Sequence, residues 1–208
     1  MTEIVQLKKF YGSHQILEIS NLQLSKGVYW IKGANGSGKS TLLKVLAGLL
    51  PFAGEILIDQ ISIKKQPVAY RSAINYAPAE PVYPSFLSGQ ELVNFYSKIK
   101  KGTTQQLEEL KSVLGIDDYL KNPVGSYSSG MIKKLSLLLA LTGKSNWIFL
   151  DEPFTTLDVS SQKALSRFIQ SNSDTGFLLT SHHDILPEDI RLKGVYHLKN
   201  KKLEAEKY

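Results

Sequence analysis

Nine residues constrain this chain more than any others: Gly33-Ala34-Asn35-Gly36-Ser37-Gly38-Lys39-Ser40-Thr41. Glycines at the first and sixth positions, followed by Lys39 and Ser40, complete the phosphate-loop pattern G-x-x-x-x-G-K-[ST]. The local context is the one that pattern requires. Val28-Tyr29-Trp30-Ile31 reads as a short buried strand entering the loop, and Thr41 to Ala47 as a helix leaving it, with apolar residues at helical spacing. A tight loop of this kind turns its backbone N–H groups inward, and a Cβ at Gly36 or Gly38 would obstruct an approaching phosphate. The helix N-terminus adds a partial positive charge. Lys39 is placed to reach β- and γ-phosphates, and the Ser40 hydroxyl to ligate Mg²⁺. Gly33, Asn35, Gly36, Ser37, Gly38, Lys39, Ser40 and Thr41 are therefore the candidate phosphate contacts.

At 208 residues the chain suits one domain with room for an inserted subdomain. It contains no cysteine, which excludes disulfides, thiol chemistry and cysteine metal sites and fits a reducing compartment. Residues Met1 to Leu7 lack the apolar core of a signal peptide, and no apolar run approaches the roughly 20 residues that span a bilayer. The expected location is cytoplasmic. A net charge of +6 raises the question of nucleic acid or an anionic membrane surface. The lysines are scattered, however, apart from Lys98-Lys100-Lys101 and Lys199-Lys201-Lys202, so these read as solvated faces and no nucleic-acid partner is expected.

Strands are predicted at Ile4 to Phe10, His14 to Leu24 and Val28 to Ile31, broken at Gly12-Ser13 and Lys26-Gly27. Gly48 and Pro51 end the first helix, and Gly54 to Asp59 alternates as a strand. Ile74 to Ala77 is another, stopped by Pro78. From there to about Gly143 the pattern is helical, best at Gly89 to Ile99, Thr104 to Leu114 and Met131 to Leu141.

The second phosphate-handling element is Trp147-Ile148-Phe149-Leu150-Asp151-Glu152-Pro153. Four apolar residues ending in two acids describe a fully buried parallel strand whose carboxyl end enters a site. Asp151 is the candidate Mg²⁺ holder, and Glu152 the residue that orients and polarises the attacking water.

With these elements in place, the chain resembles the ATP-binding subunit of an ABC transporter. The discriminating segment is Tyr127-Ser128-Ser129-Gly130-Met131, about twenty residues before Asp151 and directly ahead of a helical stretch. It is similar to the family's LSGGQ signature: Ser128 and Gly130 match, while Tyr127, Ser129 and Met131 replace Leu, Gly and Gln. Ser128 suits a hydroxyl donor or a helix N-cap, and the small residues Ser129 and Gly130 let backbone N–H groups approach a phosphate. Taken alone, the segment also reads as a plain helix cap.

Downstream, Thr155-Thr156-Leu157-Asp158 resembles the family's D-loop at the subunit contact. Leu178-Leu179-Thr180-Ser181-His182 resembles the strand and switch histidine, an imidazole that hydrogen-bonds the γ-phosphate, with His183 adjacent as the competing assignment. Tyr11 matches the aromatic that stacks on adenine. One departure stands out: where the family carries the Q-loop Gln, this chain has Ala79 followed by Glu80, and Ala79 can neither ligate Mg²⁺ nor hold water.

The resemblance implies a single α/β domain over residues 1–208. Its P-loop NTPase core would have a mostly parallel sheet, an N-terminal antiparallel β subdomain and an α-helical subdomain inserted at about 80–143. It implies ATP and Mg²⁺ as ligands, with Glu152, His182 and Lys39 catalytic. The implied partners are a second ATP-binding subunit, identical or paralogous, paired head to tail, and a separate transmembrane permease. That permease would hold the chain at the inner membrane face through the region near Pro81 to Tyr96. The compact length and the Asp151 to Phe154 run also resemble small haem-exporter-type subunits; cargo is not legible, because its contacts would lie on the membrane subunit. Two other readings stay open. One is a non-transport ABC-type ATPase acting on nucleic acid or ribosomes; the other is an ATP-sensing regulator with little turnover, which Ala79 and Met131 favour.

Overall fold

The computed structural model describes residues 1–181 and 190–206. Two sheets organise the chain. The first has the order β2-β1-β4-β5, built from β1 (Thr2–Tyr11), β2 (His14–Leu24), β4 (Ala53–Ile58) and β5 (Ile61–Ser62), and every pairing is antiparallel. The second has the order β10-β9-β3-β8-β7-β6, built from β3 (Val28–Lys32), β6 (Ile74–Ala77), β7 (Trp147–Asp151), β8 (Gly176–Ser181), β9 (Gly194–Lys199) and β10 (Lys202–Ala205). It is parallel except for the β9–β10 pair. This is the expected mostly parallel core with an antiparallel N-terminal sheet.

The parallel sheet is covered on both faces, which is why its strands read as unbroken apolar runs. Along β7, Trp147 and Phe149 pack with the first sheet and with helix α1 (Lys39–Leu46). Ile148 and Leu150 enter a separate cluster beneath helices α3 (Gly89–Lys100), α4 (Thr104–Leu114), α5 (Ser129–Leu141) and α6 (Val159–Ser171). Strand periodicity alone assigns the two faces. Helices α3, α4 and α5 all lie between β6 and β7 in the chain, with short 3₁₀ turns at Asp117–Tyr119 and Val124–Ser126 between α4 and α5. A capping box starts α3: Ser88 accepts from the Glu91 backbone N–H, and Glu91 accepts from that of Ser88.

The structure shifts several expected boundaries. Helix α1 begins at Lys39, so Lys39 and Ser40 occupy its first turn instead of preceding it, with Gly38 as N-cap. Strand β4 ends at Ile58, because Asp59 turns at φ 48°. Helix α5 begins at Ser129, two residues early, since the Ser128 cap fixes its start. Helix α2 (Pro67–Ser72) and α6 carried no sequence assignment.

Candidate functional site

Parallel strands deliver their carboxyl ends to one edge, and ligands of open α/β sheets bind there. At this edge β3 runs into the phosphate loop and β7 into the acid pair. Between them lies a cavity of about 330 Å³ lined by Tyr11, Ile16, residues 35–41 and Glu152. The loop's backbone explains its glycines. Gly36 and Gly38 sit at φ 78° and 105°, left-handed values that cost a side-chain-bearing residue about 1 kcal/mol or more. A Cβ on Gly36 would meet no protein atom within 4 Å, so its need is conformational and its open side faces the cavity.

Lys39 is buried, and its ammonium is folded onto the loop, donating to Gly33 O at 2.6 Å and Ala34 O at 3.1 Å. Burial lowers its pKa, opposed by the nearby Glu152 and Asp151 carboxylates. The Ser37 hydroxyl is buried without a hydrogen-bond partner among the described residues. The Lys39 ammonium and the start of α1, whose first-turn N–H groups have no intrahelical acceptor, together suit phosphate oxygens.

Asp151 is 1% exposed. Its Oδ1 accepts from Thr180 Oγ1 at 2.6 Å, whereas Oδ2 has no hydrogen-bond partner among the described residues. Tyr76 faces it with its phenol held neutral, its pKa raised by burial first, then by the Asp151 charge and by the approach of its hydroxyl to that carboxylate. A buried carboxylate oxygen left over in this way is costly unless a cation completes it. Among the described residues no group of three or more His, Asp or Glu could form an all-protein metal cage. One carboxylate, the Ser40 hydroxyl and substrate phosphates are instead the oxygen set that Mg²⁺ takes.

Glu152 follows in a left-handed conformation, φ 49°, which turns its side chain out of strand register into the cavity wall. Its backbone N–H donates to Thr180 Oγ1 at 3.1 Å, and Thr155 Oγ1 lies 3.5 Å from Oε2. Sequence reasoning named both acids but missed Thr180, which ties them together from β8; a threonine inside an apolar strand carries no local signal.

The signature segment lies elsewhere. Ser128 caps α5, its Oγ accepting from Met131 N–H at 3.2 Å, and both Ser128 and Ser129 are exposed. Neither they nor Gly130 line the cavity. Gly130 abuts the D-loop, where an added Cβ would stand 3.2 Å from Thr156 O. Asp158 caps α6 through Ser161 N–H at 2.8 Å and pairs with Lys134 of α5 at 2.9 Å. The Ser160 hydroxyl, then Lys134 and Ser161, hold its carboxyl well below the usual range. Within one chain, then, the signature and D-loop form a second surface that faces solvent. His182 and His183 lie outside the described residues.

Residues 17–155 match the sequence family described as ABC transporter. The chain is 32% identical to the cytochrome c biogenesis ATP-binding export protein CcmA of Legionella pneumophila, over 89% of this chain and 94% of that one. It is 28% identical to the manganese transport system ATP-binding protein MntB of Halalkalibacterium halodurans, covering 89% and 77%. Against ABC transporter A family member 12 of Arabidopsis thaliana it is 34% identical over 85% of its length but spans only 21% of that larger protein. Among solved structures, an ATP-binding subunit of an ABC transporter superposes with TM-score 0.86 at 24% identity, covering 98% of this chain and 88% of that one. A bacterial ABC transporter cassette solved as a dimer gives 0.84 at 19% identity, covering 100% and 98%. At those identities the likeness speaks to fold.

Proposed function

The chain belongs to the ABC transporter family, and from that premise we propose that it binds and hydrolyses ATP as a transporter subunit, pairing with a second cassette around the nucleotide and driving a separate membrane-spanning protein. The observation that carries this reading is the cavity at the strand ends, where the phosphate loop, Lys39 and Glu152 line one space beside the buried, incompletely satisfied Asp151. Tyr11, half exposed at its rim, offers a ring face for adenine.

In the proposed reaction, backbone N–H groups of residues 35–41 and the Lys39 ammonium hold the β- and γ-phosphates. Asp151 and Ser40 would hold Mg²⁺, which screens phosphate charge when bound. Glu152 orients a water and takes its proton. The water oxygen bonds to the γ-phosphorus as the bond to the bridging oxygen breaks, and the products are ADP and inorganic phosphate.

The exposed signature supports head-to-tail pairing, since each cavity lacks that anion site until a second chain supplies it. A non-hydrolysable ATP analogue is expected to convert single chains to pairs in light scattering. Ser129→Glu should leave analogue binding to one chain intact but weaken pairing about tenfold or more, because it sets a carboxylate against the γ-phosphate. Analogue binding without any pair in the parent chain would overturn the head-to-tail reading.

No helix among the described residues is long and apolar enough to cross a membrane. A groove of about 610 Å³ beside α3 supports a separate partner. It combines exposed Val68 and Val82 with Tyr96 and Ile99, and it adds Lys44, Arg71 and Lys100 with no carboxylate in its lining. An amphipathic segment carrying an acidic residue fits that surface. A multi-spanning protein should co-purify with the parent chain from detergent-solubilised membranes and be lost with Val82→Asp, whose ATP turnover stays at the parental level. Recovery of ribosomes or DNA in its place would favour the non-transport reading.

A further inference from the structure

Lys133 is a buried charge for which the hydrolysis scheme above has no use. It stands five residues past Ser128 on α5 and is 2% exposed. Its ammonium donates to Asp151 O at 2.9 Å, Pro78 O at 3.2 Å and Ala79 O at 3.3 Å. Three N–H bonds thus meet three carbonyls, two from the exit of β6 and one from the end of β7. Burial lowers its pKa to about 8 against the Asp151 and Glu152 charges, so holding a cation here is unfavourable in itself. An apolar side chain of similar length would fill the space without that cost.

The geometry of the acid pair shows what the cation does. The peptide group between Asp151 and Glu152 has its oxygen held by Lys133 and its N–H held by Thr180 Oγ1, at 2.9 and 3.1 Å. Asp151 is the last β7 residue in register with β8, opposite Thr180, and Glu152 beyond it takes a left-handed conformation, so this peptide is the point where the acid pair leaves the sheet. Rotation of the plane would swing the Glu152 carboxylate away from the cavity. The same ammonium holds the Ala79 carbonyl, and the adjacent Lys134 pairs with Asp158. One turn of α5 therefore grips the acid pair, the segment after β6 and the start of α6.

We propose that Lys133 is a positioning residue for hydrolysis, clamping the Asp151–Glu152 peptide to the helix that begins at the signature, so that Glu152 is aimed only while α5 is docked. The proposal deepens the hydrolytic reading and rests on it. Lys133→Met keeps an unbranched side chain one atom shorter and removes all three donors; Lys133→Gln removes the charge but keeps two donors.

In Lys133→Met, turnover should fall about tenfold or more while ATP affinity stays within about twofold, since misplacing a reacting group costs rate and not binding. Lys133→Gln should recover turnover to within about threefold of the parent. Amide hydrogen exchange in residues 151–156 should quicken about tenfold in the Met variant, with α5 itself unchanged. Parental turnover and exchange in Lys133→Met, or a loss of ATP affinity in step with turnover, would overturn the assignment. A parent chain with no turnover would sink the hydrolytic reading, and with it a role in hydrolysis for Lys133; the exchange result would then report on the clamp alone.

Discussion

Glu152→Gln is expected to lower ATP turnover on the order of 10²-fold or more, about 2.7 kcal/mol in activation free energy, while ATP affinity stays within about twofold. The amide matches the carboxylate in shape and can still accept from Thr155, so the cavity keeps its form. It cannot take a proton from water. Its backbone conformation is unusual already, and Gln is no worse at φ 49° than Glu, which keeps strain out of the comparison. Pairs formed with ATP should therefore accumulate in the variant and disperse slowly. Steady-state phosphate release together with equilibrium nucleotide binding checks both halves. Unchanged turnover would remove Glu152 from the chemistry; turnover absent in parent and variant alike, with tight ATP binding, would favour the ATP-sensing reading suggested by Ala79 and Met131.

The contrast between Glu152 and Lys133 shows where a sequence speaks and where it is silent. Strands β3 and β7 are buried on both faces, so each is a continuous apolar run, and the acids that break the second run mark the sheet's active edge. The phosphate loop is legible because its demands on backbone conformation restrict residue type at fixed spacing. Lys133 and Lys134, by contrast, form an ordinary dibasic pair. About 100° of helix rotation separates them, sending one to Asp158 at the surface and the other into the core, and no local pattern distinguishes the two. Helix α6 was missed for a related reason: its buried face includes Ser161 and Ser166 beside Leu165 and Ile169, so the apolar stripe is too sparse to read. Helix α2 has only six residues and begins with Pro67, which marks a turn as readily as a first helical position. Asp158 was read through its likeness to a subunit-contact loop, and the structure adds a local task that the same residue performs, capping α6.

Lys39→Ala should instead act on binding, weakening ATP affinity about 10- to 150-fold, the value of one charge-assisted hydrogen-bonded contact of about 1.5–3 kcal/mol. The loss should be graded by phosphate count: large for ATP, smaller for ADP and within about twofold for AMP, because the ammonium is placed to reach β- and γ-oxygens. Folding stability should move little. The ammonium is now satisfied by Gly33 O and Ala34 O, carbonyls of two loop residues that are not buried, so water can serve them in its absence. Its burial lowers its pKa, so truncation also removes a desolvation cost, and a net change within about 1 kcal/mol is expected. Thermal unfolding without nucleotide checks that side, and titration with the three nucleotides checks the other. Equal affinity of parent and variant for ATP would mean that the loop's N–H groups alone hold the phosphates. An equal loss for ATP, ADP and AMP would mean that Lys39 supports the loop's shape and not its ligand. Only a phosphate-graded loss with an unchanged melting transition identifies the ammonium as a group that leaves its resting carbonyls for the substrate.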